Sequence, residues 1–289
     1  MSSEKTAEKG ESAFSSWKNR FREDFRFAPG RWAGSLAASF GAIFYKLIAR
    51  LPMRLAWWAR HFFVEGAALF RPEKPPAYSS RELKPDGFFK RVGIWLGVLA
   101  LRTLDLVGAG EILNFATHVI KVNTRPLSAL EVQEARRVFG DSLDYWRIRL
   151  DEWSLVAHYG ASSYRKRFKR AAKHMAMTIY STIQFSRRLE TSPGSPDMAW
   201  LIHELVHTAQ CEHTGGGFML ESLVAQGKAG YDYGGPAALA GRNLRDFNRE
   251  QQGDIARDFY LAINGKKEVT DAERVEYERM IGQLRAGRL

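Results

Sequence analysis

Apolar and polar residues follow two different rhythms on either side of Asn123. Upstream they form long apolar blocks: AGSLAASFGAIFY and LAWWARHFFVEGAALF within residues 31–70, then GIWLGVLAL inside Val92–Val122. Such Ala- and Leu-rich blocks predict helices. Lys46, Arg50 and Arg54 recur every fourth residue and lay a basic stripe along one of them, and Pro52 is expected to kink or break it. Residues 1–30 are polar with Phe14, Trp17, Phe21, Phe25 and Phe27 as anchors, which predicts a disordered tail passing into a short helix closed by Pro29-Gly30. Arg71-Pro72-Glu73-Lys74-Pro75-Pro76 reads as a linker, and Val92–Val122 as a buried helical pair.

Downstream of Asn123 the periods are sharper. Ser128 and Glu131 form a capping box, Leu127 can staple onto Val132, and Phe139-Gly140 ends that helix. Asp144–Leu150 and Thr178–Phe185 alternate as strands do. Ser195, Pro196 and Asp197 open a further helix with an N-cap, a first-turn proline and a dipole-matched acid. Asn248 and Gln251 box another. The pattern predicts an α+β, mainly helical chain with a small sheet: a tail over 1–30, an apolar basic helical region over 31–122 and a patterned domain over 123–289.

The candidate chemistry lies in the helix that Ser195 opens. His203 and His207 are four residues apart, hence on one helical face, and Glu204 follows the first. Two imidazoles so placed can bind one Zn²⁺ while the glutamate reaches a water beside it, the H-E-x-x-H arrangement. Two residues compete as third ligand. His213 lies ten residues after His203, but position 210, where enzymes of that spacing turn on a glycine, is Gln210. Glu250 stands four residues before Asp254, so one carboxylate can ligate while the other receives a ligand imidazole's N–H. Gly253 fills the small position of an E-x-x-[SG]-D element. Glu250 is the preferred reading, with His213 the alternative.

Charge adds a possible kind of partner. The chain carries 43 basic and 32 acidic residues, a net charge of +11, which favours anionic surfaces. Within residues 31–71, Arg31, Lys46, Arg50, Arg54, Arg60 and Arg71 face a single acid, Glu65. The stripe is either the solvated side of helices packed on the downstream domain or part of a membrane-surface contact over residues 31–70. The longest uncharged run, Trp32–Tyr45, has 14 residues, short of the roughly 18–20 needed for a span. The basic run Arg165–Lys173 reads as a solvated face. Nucleic acid is not the expected partner, because aromatic interleaving and a nucleic-acid fold are both missing. The single cysteine, Cys211, leaves the redox compartment open. The N-terminus lacks an apolar signal-peptide core, so the chain is expected to be cytoplasmic as synthesised.

Taken together, TRPLSALEVQEARRVFGDSLDY, MTIYSTIQF, WLIHELVHTAQ, YDYGG and FNREQQGDIARDFY resemble the zincin-like, gluzincin-type zinc-metallopeptidase domains of Vgr-related and Rhs-associated bacterial proteins and of extracellular contractile injection systems. The resemblance covers about residues 123–262 and leaves 1–122 unassigned. It implies His203, His207 and Glu250 as zinc ligands, Glu204 as the catalytic carboxylate, Gln210 as a shared feature, and Tyr231 or Tyr233 as a phenol for the oxyanion. It also implies a peptide or protein substrate and export through a type VI or contractile injection route. Two rivals stay open: a structural zinc module without activity, and a membrane-acting effector driven by residues 31–122.

Overall fold

The computed structural model describes residues 29–70, 87–119, 124–168, 175–220, 222 and 231–289. The tail over 1–28, the linker Arg71–Pro76 and the side chains of the Arg165–Lys173 run lie outside the described residues.

The upstream region is a helical layer. Helix α1 (Pro29–Arg60) runs on through a π-helical turn, His61–Glu65, and packs against α2 (Phe88–Leu106) and α3 (Ala109–Val119). Pro29 starts α1, where the first helical position needs no N–H donor; the short helix expected before it lies outside the described residues. Pro52 does not break α1: it removes one intrahelical bond, and the contacts with α2 and α3 hold the rest. Of the basic stripe, Arg54 is turned inward and Arg50 is half-buried. Arg54 is buried and donates to buried Glu111 of α3 at 2.6 Å, with Arg147 4.0 Å from the same carboxylate. The α2–α3 pair is only partly buried, with Leu96, Leu104, Val107 and Ile112 exposed. Among the described residues no single helix is long and apolar enough to cross a membrane; α2 and α3 reach that composition only as a pair bent by 61°.

The downstream part is mainly helical with a four-stranded mixed sheet. Its strands are β1 (Arg125–Pro126), β2 (Arg149–Glu152), β3 (Ala176–Ile179) and β4 (Thr182–Phe185), in the order β1-β2-β4-β3. The pair β2–β4 is parallel; β1–β2 and β3–β4 are antiparallel. Its helices are α4 (Ala129–Phe139), α5 (Leu155–Phe168), α6 (Pro196–Thr214), α7 (Arg249–Ile263) and α8 (Asp271–Arg285), of which α5 and α6 pack on the sheet. The expected caps form on α4, α6 and α7: Ser128 with Glu131, Ser195 Oγ accepting from Met198, and Asn248 with Gln251.

Two strand boundaries differ from the sequence pattern. Thr178–Phe185 is not one strand but the end of β3, a turn at Tyr180-Ser181, and β4. Tyr180 adopts φ 54°, a conformation a tyrosine takes only when held. Its ring sits where a Cβ on Gly110 would lie 2.6 Å away, and its hydroxyl donates to Asp105 at 3.2 Å. The turn is thus fixed by the helical layer, not by local turn residues. In Asp144–Leu150, the residues Tyr145–Arg147 form a 3₁₀ turn before β2 begins.

The layer is fastened to the C-terminus of α6, the helix that carries His203 and His207. Arg102 of α2 donates to the Thr214 carbonyl at 2.6 Å, one of the last carbonyls of α6 left without an intrahelical partner. Asp105 accepts from the Gly216 amide at 2.7 Å, an approach close enough that a Cβ on Gly215, at φ 74°, would lie 2.5 Å from that carboxylate.

Candidate metal centre

Among the described residues helices α6 and α7 make the most extensive helix–helix contact, and the candidate centre lies in that interface. His203 and His207 lie one turn apart on one face of α6, their rings edge to face with centroids 5.1 Å apart. Glu250 comes across from the first turn of α7. Its two carboxylate oxygens lie 3.5 Å from His203 Nε2 and 3.6 Å from His207 Nε2. All three residues are buried, and their donor atoms lie within 4.8 Å of one another, a set that could hold a metal ion.

Each imidazole is oriented from behind. The Nδ1–H of His203 donates to Asp254 Oδ1 at 2.8 Å, and that of His207 to Gln210 Oε1 at 2.8 Å. Both bonds place the second ring nitrogen, Nε2, toward Glu250, as ligand histidines require. Gln210 is itself fixed, donating to the Arg249 carbonyl at 3.0 Å and to Gln252 Oε1 at 2.9 Å. The residue that fails as a glycine turn therefore positions His207 and binds α6 to α7. Gly253 lets α7 come this close: a Cβ there would lie 2.6, 2.7 and 2.9 Å from three atoms of the His203 ring.

Glu204 is buried beside the pair and accepts from Thr178 Oγ1 of β3 at 2.9 Å. Thr178 was invisible as a site residue in the sequence, since only the fold lays β3 along α6. The same holds for Phe218, whose ring stacks on His207 at 6.1 Å after the Gly215–Gly217 turn. A pocket of about 210 Å³ opens between β3 and the centre. Met175, Met177, Ile179, Phe218 and Tyr231 line it together with Glu204, His207 and Glu250.

The remaining candidates separate. Tyr231 has its ring 5.9 Å from that of His203, at the pocket mouth. Tyr233 is not at the centre: it is buried in the core, its hydroxyl donating to Asp258 at 2.7 Å and lying 2.5 Å from the Tyr277 hydroxyl. Nor is His213 brought to the cluster. Helix α6 runs unbroken to Thr214, which carries His213 about 15 Å along the axis from His203 and about 80° off its face. There it lies exposed against Gly287.

Without a cation the centre gathers protons. Burial lowers the pKa of His203, but its hydrogen bonds to Asp254 and Glu250 and the nearby carboxylate charges raise it to about 10. Burial likewise opposes protonation of His207, and the charge of Glu250 raises it in net. For Glu250 burial pushes up, while the two imidazoles hold the carboxyl far below the usual range. A metal must therefore displace protons, and apparent zinc affinity is expected to climb with pH up to about 10 in a competitive chelator titration. The metal-free protein gains stability from His203 below its ordinary 6.5 and loses that gain as pH rises through about 10. Its melting temperature is expected to decline over this window. A flat profile for both quantities would contradict the proton-loaded centre.

Comparison with known proteins gives one informative similarity. Over 148 residues the chain is 31% identical to the type VI secretion system spike protein VgrG2b of Pseudomonas aeruginosa. That stretch is 48% of this chain but only 13% of the spike protein. It supports the Vgr-related association read from the sequence motifs. No protein-family profile and no solved structure matches the chain.

Proposed function

We propose that this chain is a zinc-dependent peptidase that works with type VI or related contractile secretion machinery. The observation that carries the enzymatic reading is the convergence of His203 Nε2, His207 Nε2 and Glu250 on one point, with Glu204 beside them and a pocket in front. Two neutral imidazoles and a carboxylate, each imidazole backed by an acceptor, suit zinc in a site that keeps an open position. Bound there, zinc supplies Lewis acidity that polarises a carbonyl and acidifies a water.

The protein's own groups carry the remaining roles. Glu204, oriented by the Thr178 hydroxyl, takes the proton of the attacking water and delivers it to the departing amine. Strand β3 is at the sheet edge, paired with β4 alone among the described strands, so an extended peptide can add alongside it. The Met175, Met177, Ile179 and Phe218 lining selects an apolar substrate side chain next to the scissile bond. Tyr231, whose ring is 5.9 Å from that of His203, is the phenol assigned here to donate to the developing oxyanion. The link to secretion rests on the similarity to a spike protein and implies export by that route.

The reading is tested by metal analysis and hydrolysis of an apolar fluorogenic peptide. We expect about one zinc per chain, activity lost on chelation and regained with zinc, and metal lost in Glu250→Ala but kept in His213→Ala. Hydrolysis that survives full chelation would sink it, and so would zinc retained by Glu250→Ala and lost from His213→Ala.

A further inference from the structure

Helix α1 turns an apolar face outward while burying an arginine. Phe44, Ile48, Leu51 and Leu55 follow one another at intervals of four, three and four residues, so they share a helical face, and all four are exposed. Arg54, about a quarter-turn round the helix from them, is buried against Glu111. A helix packed on a protein in water carries the opposite arrangement. Beyond α1 the apolar surface continues as a cluster of aromatic rings. Phe62 and Phe63 lie 5.1 Å apart, and Phe62 also meets Trp95 of α2 at 6.0 Å. At the start of α2, Phe70, Phe88 and Phe89 form a second run with centroids 6.0 and 5.8 Å apart. Phe63, Phe70 and Phe89 are 67%, 76% and 87% exposed. Single exposed rings are ordinary; two grouped sets of them in one helical layer mark a contact surface.

Charge decides what the surface meets. The described part of the layer contains three acids, Glu65, Asp105 and Glu111, and all three are buried. Among the described residues the exposed charges next to these rings in the chain are cationic: Arg60, whose side chain is 63% exposed with its Nε 3.8 Å from Glu65, and Lys90. A second copy would set these cations against each other, which disfavours a homodimer. An anionic bilayer meets both features at once, since its headgroups attract the cations and its interface accepts the rings.

We propose that the helical layer docks on anionic lipid bilayers through Phe62, Phe63, Phe70, Phe88 and Phe89, with Arg60 and Lys90 on the headgroups. It lies in the interface and does not span it. Nothing in this rests on the zinc chemistry.

The test is co-sedimentation of the full chain with vesicles of phosphatidylcholine alone or mixed with phosphatidylglycerol. The chain is expected to partition onto the anionic vesicles in preference to the neutral ones, and less at high salt. The combined substitution Phe63→Ser, Phe70→Ser and Phe89→Ser should lower partitioning at least about tenfold on either vesicle. Arg60→Glu with Lys90→Glu should lower it about tenfold on anionic vesicles alone. Because these side chains are exposed, melting temperatures should not move. Wild-type chain left in the supernatant with both vesicle types would overturn the proposal. So would a drop in melting temperature of the serine variant, which would mark the rings as packed within the fold. A concentration-dependent oligomer abolished by the serine substitutions would also overturn it, by giving the face to a second copy. Glu204→Gln should bind vesicles as the wild type does, so failure of the peptidase reading and failure of this one are separable.

Discussion

Glu204→Gln is expected to keep its full complement of zinc and its melting temperature while losing about 10³-fold in kcat against a peptide substrate. Glutamine has the same shape, and its carbonyl oxygen can accept the Thr178 hydroxyl as the carboxylate does at 2.9 Å. The packing of β3 against α6 therefore has no reason to change. What disappears is the negative charge and, with it, the ability to accept a proton from water and hand it on. Because Glu204 is outside the His203–His207–Glu250 set, metal content should not follow activity. If the variant retains most of the wild-type rate, Glu204 is not the base. If neither protein cleaves peptides although both hold zinc, the centre is a structural clamp between α6 and α7.

Gly253→Ala is expected to lower zinc affinity at least about 10- to 100-fold, although the substitution adds no charge and removes no ligand. On helix propensity alone, alanine in the body of α7 should stabilise by about 1 kcal/mol. The close approach of α7 decides otherwise. A methyl group 2.6 Å from the His203 ring must displace that ring or separate the helices. Either movement breaks the Asp254 bond or withdraws Nε2 from Glu250. Overpacking of this kind costs about 1–3 kcal/mol. Isothermal titration with zinc and a thermal melt of the metal-free variant check both effects. A more stable variant with unaltered affinity would show that the interface relaxes freely, and that the glycine is not there to admit the histidine.

The motif helix is the part of the site that local rules could place. Ser195, Pro196 and Asp197 set its start, and the four-residue spacing then puts His203 and His207 on one face whatever the tertiary fold. The capped helix of Glu250 and Asp254 was legible for the same reason. Gln210 could have been recognised as a support for His207, since a residue three positions on in a helix is a neighbour. Tyr231 and Tyr233 could not be told apart. They are two residues apart in an irregular segment, and only packing sends one hydroxyl into the Asp258–Tyr277 network and leaves the other ring at the pocket.

The basic stripe of α1 shows where sequence periodicity stops. Four-residue spacing placed Lys46, Arg50 and Arg54 on one side of a helix, but periodicity is symmetric between inside and outside. A partner across the fold settles the choice, and for Arg54 it is Glu111, 57 residues away. The turn at Tyr180-Ser181 was hidden likewise, because its positive φ is supported by Gly110 and Asp105 and not by turn-forming residues. By itself, then, the sequence determined what depends on neighbours within a turn or two of helix: caps, helix starts, the face shared by two histidines, the mainly helical α+β class. The tertiary structure alone decided which acid meets that face, which strand holds Glu204, and which side of α1 is left outside. Those outcomes come from contacts between residues far apart in the chain, and no local period encodes them.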